Sequence, residues 1–265
     1  MERFSSLMLL LAILLAGCSP AASSPAPVPE SRTLTVFAAT SLTDAFTEIG
    51  DDFEMANPGV SIAFNFGGSQ ALRTQIEEGA PVDVFASATT NEMDALMAGG
   101  FITEGAYLFF LTNKLVVILP GDNPADLKSL EDLANPGIKI VLAAEEVPVG
   151  GYTRRSLDLM NGSFGADFKD RVMENVVSNE GNVKQVVAKV QLGEVDAGIV
   201  YASDAVAAPE LQKMEIPVQW NVFAKYPIVS LLESANPDLA QAFIAYVLSA
   251  DGQAVLQKWG FAPAR

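Results

Sequence analysis

The sequence predicts an α/β protein built on mainly parallel sheets, and three observations carry that prediction. From Leu34 onward, short apolar runs alternate with amphipathic stretches of helical spacing. Each of several runs stops at a small polar or glycine-bearing turn that opens directly into the next helix. The composition is that of a chain with real cores, 50% hydrophobic and 18% charged over 265 residues, enough for one large or two modest domains.

The chain begins with a segment of a different kind. Met1–Ser6 carries Arg3, offset by Glu2, and Leu7–Leu15 is an apolar run too short to span a bilayer. Leu15-Ala16-Gly17-Cys18 closes it and resembles a bacterial lipobox. On that reading residues 1–17 are a lipoprotein signal peptide and Cys18, the only cysteine, is the lipidated N-terminus of an exported, membrane-anchored protein. Residues 18–32, rich in Pro, Ala and Ser, then form a flexible tether.

The first strand ends in Val36-Phe37-Ala38-Ala39, and Thr40-Ser41 leads into a helix whose Leu42, Ala45, Phe46, Ile49 and Phe53 share one face. Taken alone, Thr40 or Ser41 reads as a helix cap. Such a turn also presents unpaired N–H groups and a hydroxyl at the positive end of a helix dipole, which suits an anion. The arrangement recurs. Val60, Ile62, Phe64 and Phe66 form a strand that ends at Gly67-Gly68-Ser69 before a helix carrying Leu72 and Ile76. Val82–Ala86 is a strand in which Asp83 reads as a buried, hydrogen-bonded structural acid, and Asn91–Met97 is a short helix.

Leu115–Leu119 is an unbroken apolar strand and the expected first crossing into a second lobe. Ser129–Asp132 opens a small helix and Lys139–Ala143 is a strand. The loop Glu145–Gly151, with Pro148-Val149-Gly150-Gly151, is expected to open a helix over Tyr152–Met160. Arg154 and Arg155 on its first turn read as a solvated pair. Val176–Ser178 is a strand, and Gly181-Asn182-Val183 opens a helix whose Val183, Val186, Val187 and Val190 are buried. The strand Ala197–Tyr201 leads to Ser203-Asp204, a capping pair, and the Tyr201 phenol stands at the strand end. Val218–Phe223 and Ile228–Leu232 are expected strands, with the return crossing near Tyr226–Val229, and the helices Pro237–Leu248 and Asp251–Trp259 close the chain.

Charge and residue usage exclude several functions. The formal net charge is −16, from 32 acidic and 16 basic residues, which opposes nucleic-acid binding. A small anion must then be held by local dipoles against the summed field. No histidine is present, which removes the usual general base, the usual zinc ligand and the Ser/His/Asp and Cys/His triads. An enzyme on a two-lobed fold would lack paired acids at these turns, so no catalytic residue is assigned. A purely structural lipoprotein would have no use for matched helix entries in two lobes.

In order and spacing, Ala39-Thr40-Ser41-Leu42-Thr43, Gly68-Ser69, Gly79–Ser87, Gly198–Ala205 and Trp259-Gly260-Phe261 together resemble the bacterial molybdate-binding proteins of ABC transporters. The resemblance runs over Thr33–Arg265. It implies a two-lobed type II periplasmic-binding-protein fold, with lobe I formed by residues 33–113 and 228–265, lobe II by residues 114–227, and two crossings between them. It also implies that a tetrahedral dianion, molybdate or tungstate, is hydrogen-bonded by the hydroxyls of Ser41, Ser69 and Tyr201 and by the backbone N–H groups of Val149 and Val183. The metal arrives inside the oxyanion, with no direct metal-cation ligands and no cofactor. The implied partners are an ABC permease and, through Cys18, the membrane, with the protein a monomer in the periplasm or on the outer face of the cell membrane. The sequence departs from the family pattern in two places. Thr89 and Thr90 stand where an aspartate is expected, and Val149 stands where alanine is commoner.

The residues give this implication a physical basis. Molybdate-type oxyanions are fully deprotonated at neutral pH, so their site needs donors only, and several helix N-termini at roughly half a positive charge each offset a dianion without Arg or Lys. Phosphate retains a proton and wants a carboxylate acceptor, which these turns lack. Sulfate is chemically closer and is the alternative ligand.

Overall fold

A computed structural model describes residues 31–264, so the expected signal peptide, Cys18 and all of the tether up to Glu30 lie outside the described residues. Arg32, expected in the tether, instead opens β1 (Arg32–Ala39). Its guanidinium is held by Asp238 at 2.6 Å and by Asn236, which fixes the start of the strand.

β1 lies between β2 (Val60–Gly67) and β3 (Val84–Ala86), parallel to both, with Leu34, Val36 and Ala38 fully buried. β4 (Leu108–Asn113), β10 (Ala224–Ser230) and β11 (Ala262–Pro263) extend this sheet antiparallel, in the order β11-β4-β10-β3-β1-β2. The second sheet runs β7-β6-β8-β5-β9, built from β5 (Leu115–Leu119), β6 (Ile140–Ala143), β7 (Val176–Glu180), β8 (Ala197–Tyr201) and β9 (Gln212–Glu215). Here β6 is parallel to β7 and β8, while β5 is antiparallel to β8 and β9. The two-lobed α/β architecture is as expected, but both sheets are mixed, not mainly parallel. A parallel neighbour needs a crossover connection of its own, whereas β10 arrives directly from the other lobe and pairs antiparallel on both sides.

Helices cover both sheets because their apolar stripes have nowhere else to go. α1 (Thr43–Ala56) buries Phe46, Ile49 and Phe53 against α8 (Pro237–Leu248), where Phe46 and Phe53 meet Phe243 edge-on at 5.9 and 5.5 Å. α2 (Ser69–Glu77) and α3 (Thr90–Ala98) share a smaller core with Phe37 and Phe85. α9 (Ala250–Lys258) closes the first lobe, and the Trp259 indole after it donates to Glu48 at 2.8 Å. In the second lobe, α4 (Pro148–Phe164), α5 (Phe168–Glu174), α6 (Val183–Gln191) and α7 (Ala202–Ala207) pack around β6 and β8. No single described helix is long and apolar enough to cross a membrane.

Asp83 is the buried structural acid the sequence suggested. Burial works to raise its pKa, but donation from Ser234 Oγ at 2.6 Å, Thr35 N–H at 2.8 Å and Asn236 N–H at 3.1 Å outweighs that and holds it below the ordinary carboxylate value.

The chain passes from β4 to β5 through Lys114 alone. The return is complete at Ala224, four residues before the expected boundary at Ile228, because all of β10 pairs within the first sheet. Val218–Phe223, expected as a strand, is a turn followed by irregular chain. Pro217 sets the turn, whose carbonyl accepts from Trp220 and Asn221, and Trp220 packs on Phe164 at 4.8 Å. Asn221 joins the two crossings: its Oδ1 accepts from Leu115 N–H at 2.9 Å and its amide donates to Leu115 C=O at 2.8 Å.

Candidate functional site

Between the lobes lies a small cavity, and Ser41, Ser69, Val149, Val183 and Tyr201 all line it. Each reaches it from the C-terminal end of a strand or the start of a helix, the usual place for ligands in α/β sheets.

Ser41 stands in a 3-10 turn, Thr40–Leu42, between β1 and α1, and its side chain caps neither element. Its Oγ instead lies 2.8 Å from the Tyr226 hydroxyl. The capping reading of Ser41 is therefore set aside. Ser69 is the first residue of α2, is 1% exposed and also makes no cap; its Oγ accepts from the Ala88 N–H at 3.1 Å. With one lone pair so used, the Ser69 proton remains for another acceptor.

Val149 is the second residue of α4, which starts at Pro148 and not at the expected Tyr152. Proline at the first helical position has no N–H to lose and its backbone angle suits the helix. The earlier start leaves the Val149 N–H in the first turn without an intrahelical partner. Gly150 makes it possible, since a Cβ there would sit 1.9 Å from the Ala144 carbonyl oxygen. Val183 opens α6 after Asn182, whose Oδ1 accepts from Gln185 N–H at 3.1 Å and leaves the Val183 N–H free of the cap.

Tyr201 ends β8, is 2% exposed, and its hydroxyl has no hydrogen-bond partner. Burial, with Tyr226 and Tyr152 nearby, pushes its pKa well above the ordinary phenol range, so it stays a donor. Not one charged side chain lines the cavity. The arrangement is three hydroxyls and the N-termini of α1, α2, α4 and α6 around a small polar space, able to donate to an anion in all directions.

Contacts across the cleft hold the lobes together around this space. Tyr152 donates to the Ala88 carbonyl at 3.2 Å, Lys184 pairs with Asp44 at 2.6 Å, and Gln70 donates to the Gly181 carbonyl at 3.3 Å. None of these cross-cleft partners, nor Tyr226, is apparent from sequence spacing, because their partners are about 64 to 185 residues away in the chain. Arg154, expected in solvent, is instead bonded to the carbonyls of Ala143 at 3.0 Å and Gly150 at 2.9 Å, where it holds the start of α4 to the end of β6. Arg155 is exposed and lies 4.7 Å over the Tyr152 ring. Thr89, at the first departure from the family pattern, caps α3.

Asp204, in the first turn of α7, is fully buried; its Oδ2 accepts from Tyr201 N–H at 3.2 Å and its Oδ1 is unpartnered. Burial raises its pKa to about 7, against the lowering effect of Lys184. Between the ordinary Asp value near 4 and about 7, the folded protein thus holds a proton that the unfolded chain releases, so this group's contribution to stability falls as pH rises through that window. Asp204→Asn, neutral at every pH, is expected to melt at a temperature that improves relative to wild type between pH 5 and pH 8. A constant difference over that range would show that Asp204 is already ionised at pH 5.

The family of bacterial extracellular solute-binding proteins matches residues 34–262. The chain belongs to that family. Among solute-binding relatives it is 39% identical to the molybdate-binding protein ModA of Mycobacterium tuberculosis, over 97% of this chain and 95% of that protein. It is 31% identical to YvgL of Bacillus subtilis, described as a putative ABC transporter substrate-binding lipoprotein, over 94% of this chain and 93% of that one. Its fold superposes on the periplasmic molybdate-binding protein of Azotobacter vinelandii with a TM-score of 0.76, covering 88% of this chain and all of that one at 20% identity. That likeness shows the same two-lobed fold.

Proposed function

We propose that this solute-binding protein captures molybdate, and tungstate with it, between its lobes and delivers the ion to an ABC permease, without catalysing a reaction. The observation that carries the reading is a small cavity between the lobes, furnished with donors and lacking any carboxylate among the described residues. Ser41, Ser69 and Tyr201 supply hydroxyl protons, and Val149 and Val183 supply backbone N–H groups. A fully deprotonated tetrahedral dianion satisfies all five at once, whereas an ion that carries a proton finds no carboxylate to receive it. Identity to the Mycobacterium tuberculosis molybdate-binding protein over nearly the whole chain supports molybdate above sulfate. The lipobox-like Leu15–Cys18 and the lipoprotein relative support an anchor at Cys18, on the outer side of the membrane. As a monomer on a lipid tether, the protein would carry its ion to the permease without leaving the surface.

Calorimetric titration of the full chain in detergent with molybdate, tungstate, sulfate and phosphate tests the assignment. Molybdate and tungstate are expected to bind tightly and phosphate far more weakly. Tight sulfate binding with no molybdate binding would move the protein to a different oxyanion. Within that experiment, Ser41→Ala is expected to weaken molybdate binding by about 1–3 kcal/mol, the cost of leaving a charged acceptor one donor short. An unchanged affinity would take Ser41 out of the site.

A further inference from the structure

The Ser41 hydroxyl has one proton to give, and a bound dianion receives it only if no protein acceptor claims it. The side chain that meets it is Tyr226, whose hydroxyl lies 2.8 Å from Ser41 Oγ. Tyr226 is fully buried on β10, the strand by which the chain returns to the first lobe, and a register shift between Tyr226 and Pro227 against β4 marks a bulge at this point. Bulges of this kind re-aim a side chain. The ring is enclosed by the edges and faces of Phe110 at 6.4 Å, Tyr201 at 5.9 Å and Phe261 at 5.9 Å. Asn113, whose amide donates to Ser203 Oγ at 2.8 Å, faces the same hydroxyl as a further donor. With the Asn113 amide on one side, Ser41 Oγ, 2.8 Å away, stands as an acceptor for the Tyr226 proton, although either hydroxyl of the pair can be the donor.

We propose that Tyr226 is a positioning residue for the oxyanion site: its hydroxyl donates to Ser41 Oγ, fixes the Ser41 proton toward the cavity, and so makes Ser41 an obligate donor. The consequence is selectivity. A serine free to rotate can turn a lone pair to the cavity and accept from an anion that carries a proton; a serine oriented by Tyr226 keeps its proton turned there, which disfavours such an ion. Burial keeps the phenol protonated far above neutral pH, so the donor does not switch off in the range where the protein works. The same ring packs on Tyr201, so one buried side chain supports hydroxyl donors from both lobes.

This inference rests on the oxyanion reading above, and a double-mutant cycle separates the two. Wild type, Tyr226→Phe, Ser41→Ala and the double variant are titrated as full chains with molybdate and with inorganic phosphate near pH 7, alongside melting curves without ligand. Tyr226→Phe is expected to lose about 3- to 10-fold in molybdate affinity, the equivalent of one neutral hydrogen bond, and to narrow the ratio of molybdate to phosphate affinity. In the Ser41→Ala background the same change is expected to alter molybdate affinity by less than about twofold, since the group it positions is gone. An equal loss in both backgrounds, whether from packing or from misfolding, overturns the proposal, and so does an unchanged ratio in Tyr226→Phe. If wild type takes up no molybdate, the functional reading fails first; the cycle is then run with sulfate, the other dianion the donors fit, and the same outcomes decide the role of Tyr226.

Discussion

Gly150→Ala is expected to lower stability by roughly 3 kcal/mol, the upper end of what overpacking costs, and to abolish tight oxyanion binding. The added methyl would stand 1.9 Å from the Ala144 carbonyl oxygen and 2.6 Å from that of Ala143. Both are backbone atoms, so no rotamer change relieves the clash. Either α4 tilts away from the end of β6 or the loop Ala144–Val147 gives way. Both movements displace the Val149 N–H, and both strain the two carbonyl bonds of Arg154. The neighbouring glycine is the control. A Cβ at Gly151 comes only to 3.2 Å of the Glu145 carbonyl oxygen, and alanine gains about 1 kcal/mol of helix propensity over glycine, so Gly151→Ala is expected to be close to neutral. Urea denaturation of both variants, followed by calorimetry, measures the difference. Equal stability of the two would mean that α4 is not held against β6 as described.

Ser69→Ala carries the second large effect, because one oxygen serves two partners. Its proton faces the cavity, and its lone pair accepts from the buried Ala88 N–H. Losing the proton is expected to cost about 1.5–3 kcal/mol of molybdate affinity, the worth of a hydrogen bond to a charged group. Losing the acceptor orphans a buried N–H and is expected to cost roughly a further 1–3 kcal/mol of stability in the ligand-free protein. The two losses appear in different experiments, titration and thermal melting. A variant that melts like wild type yet binds weakly would mean that water replaces Ser69 at Ala88; one that binds like wild type would remove Ser69 from the site. Ser41→Ala likewise leaves a buried group, the Tyr226 hydroxyl, without its partner.

The sequence by itself determined the class of the fold and the local character of the site. Alternating apolar runs and helical stripes are properties of adjacent residues, so β1, β2, β5 and β8 and the helices α1, α2, α6 and α8 are all legible from spacing. The small polar or glycine-bearing junctions are legible for the same reason, whereas the set Ser41, Ser69, Val149, Val183 and Tyr201 is what the family resemblance implies and does not follow from spacing. The strand β9 escaped because Gln212–Glu215 is a polar edge strand with no apolar alternation. The false strand at Val218–Phe223 arose because Val218, Trp220 and Val222 alternate correctly while Pro217 and the docking of Trp220 on Phe164 bend the chain into a turn.

Tertiary structure alone decided what the site's hydroxyls are free to do. Spacing cannot say whether Ser41 caps a helix or faces a cavity, because both use the same exposed helix end. The decision comes from Tyr226, 185 residues away, whose hydroxyl meets Ser41. It likewise takes the packing of both lobes to leave the Tyr201 phenol unpartnered and to bring Arg154 onto carbonyls and out of solvent. Local sequence sets which groups stand at a helix entry. Which of their protons remain unclaimed depends on what the rest of the chain brings against them, and that is a property of burial and long-range contact.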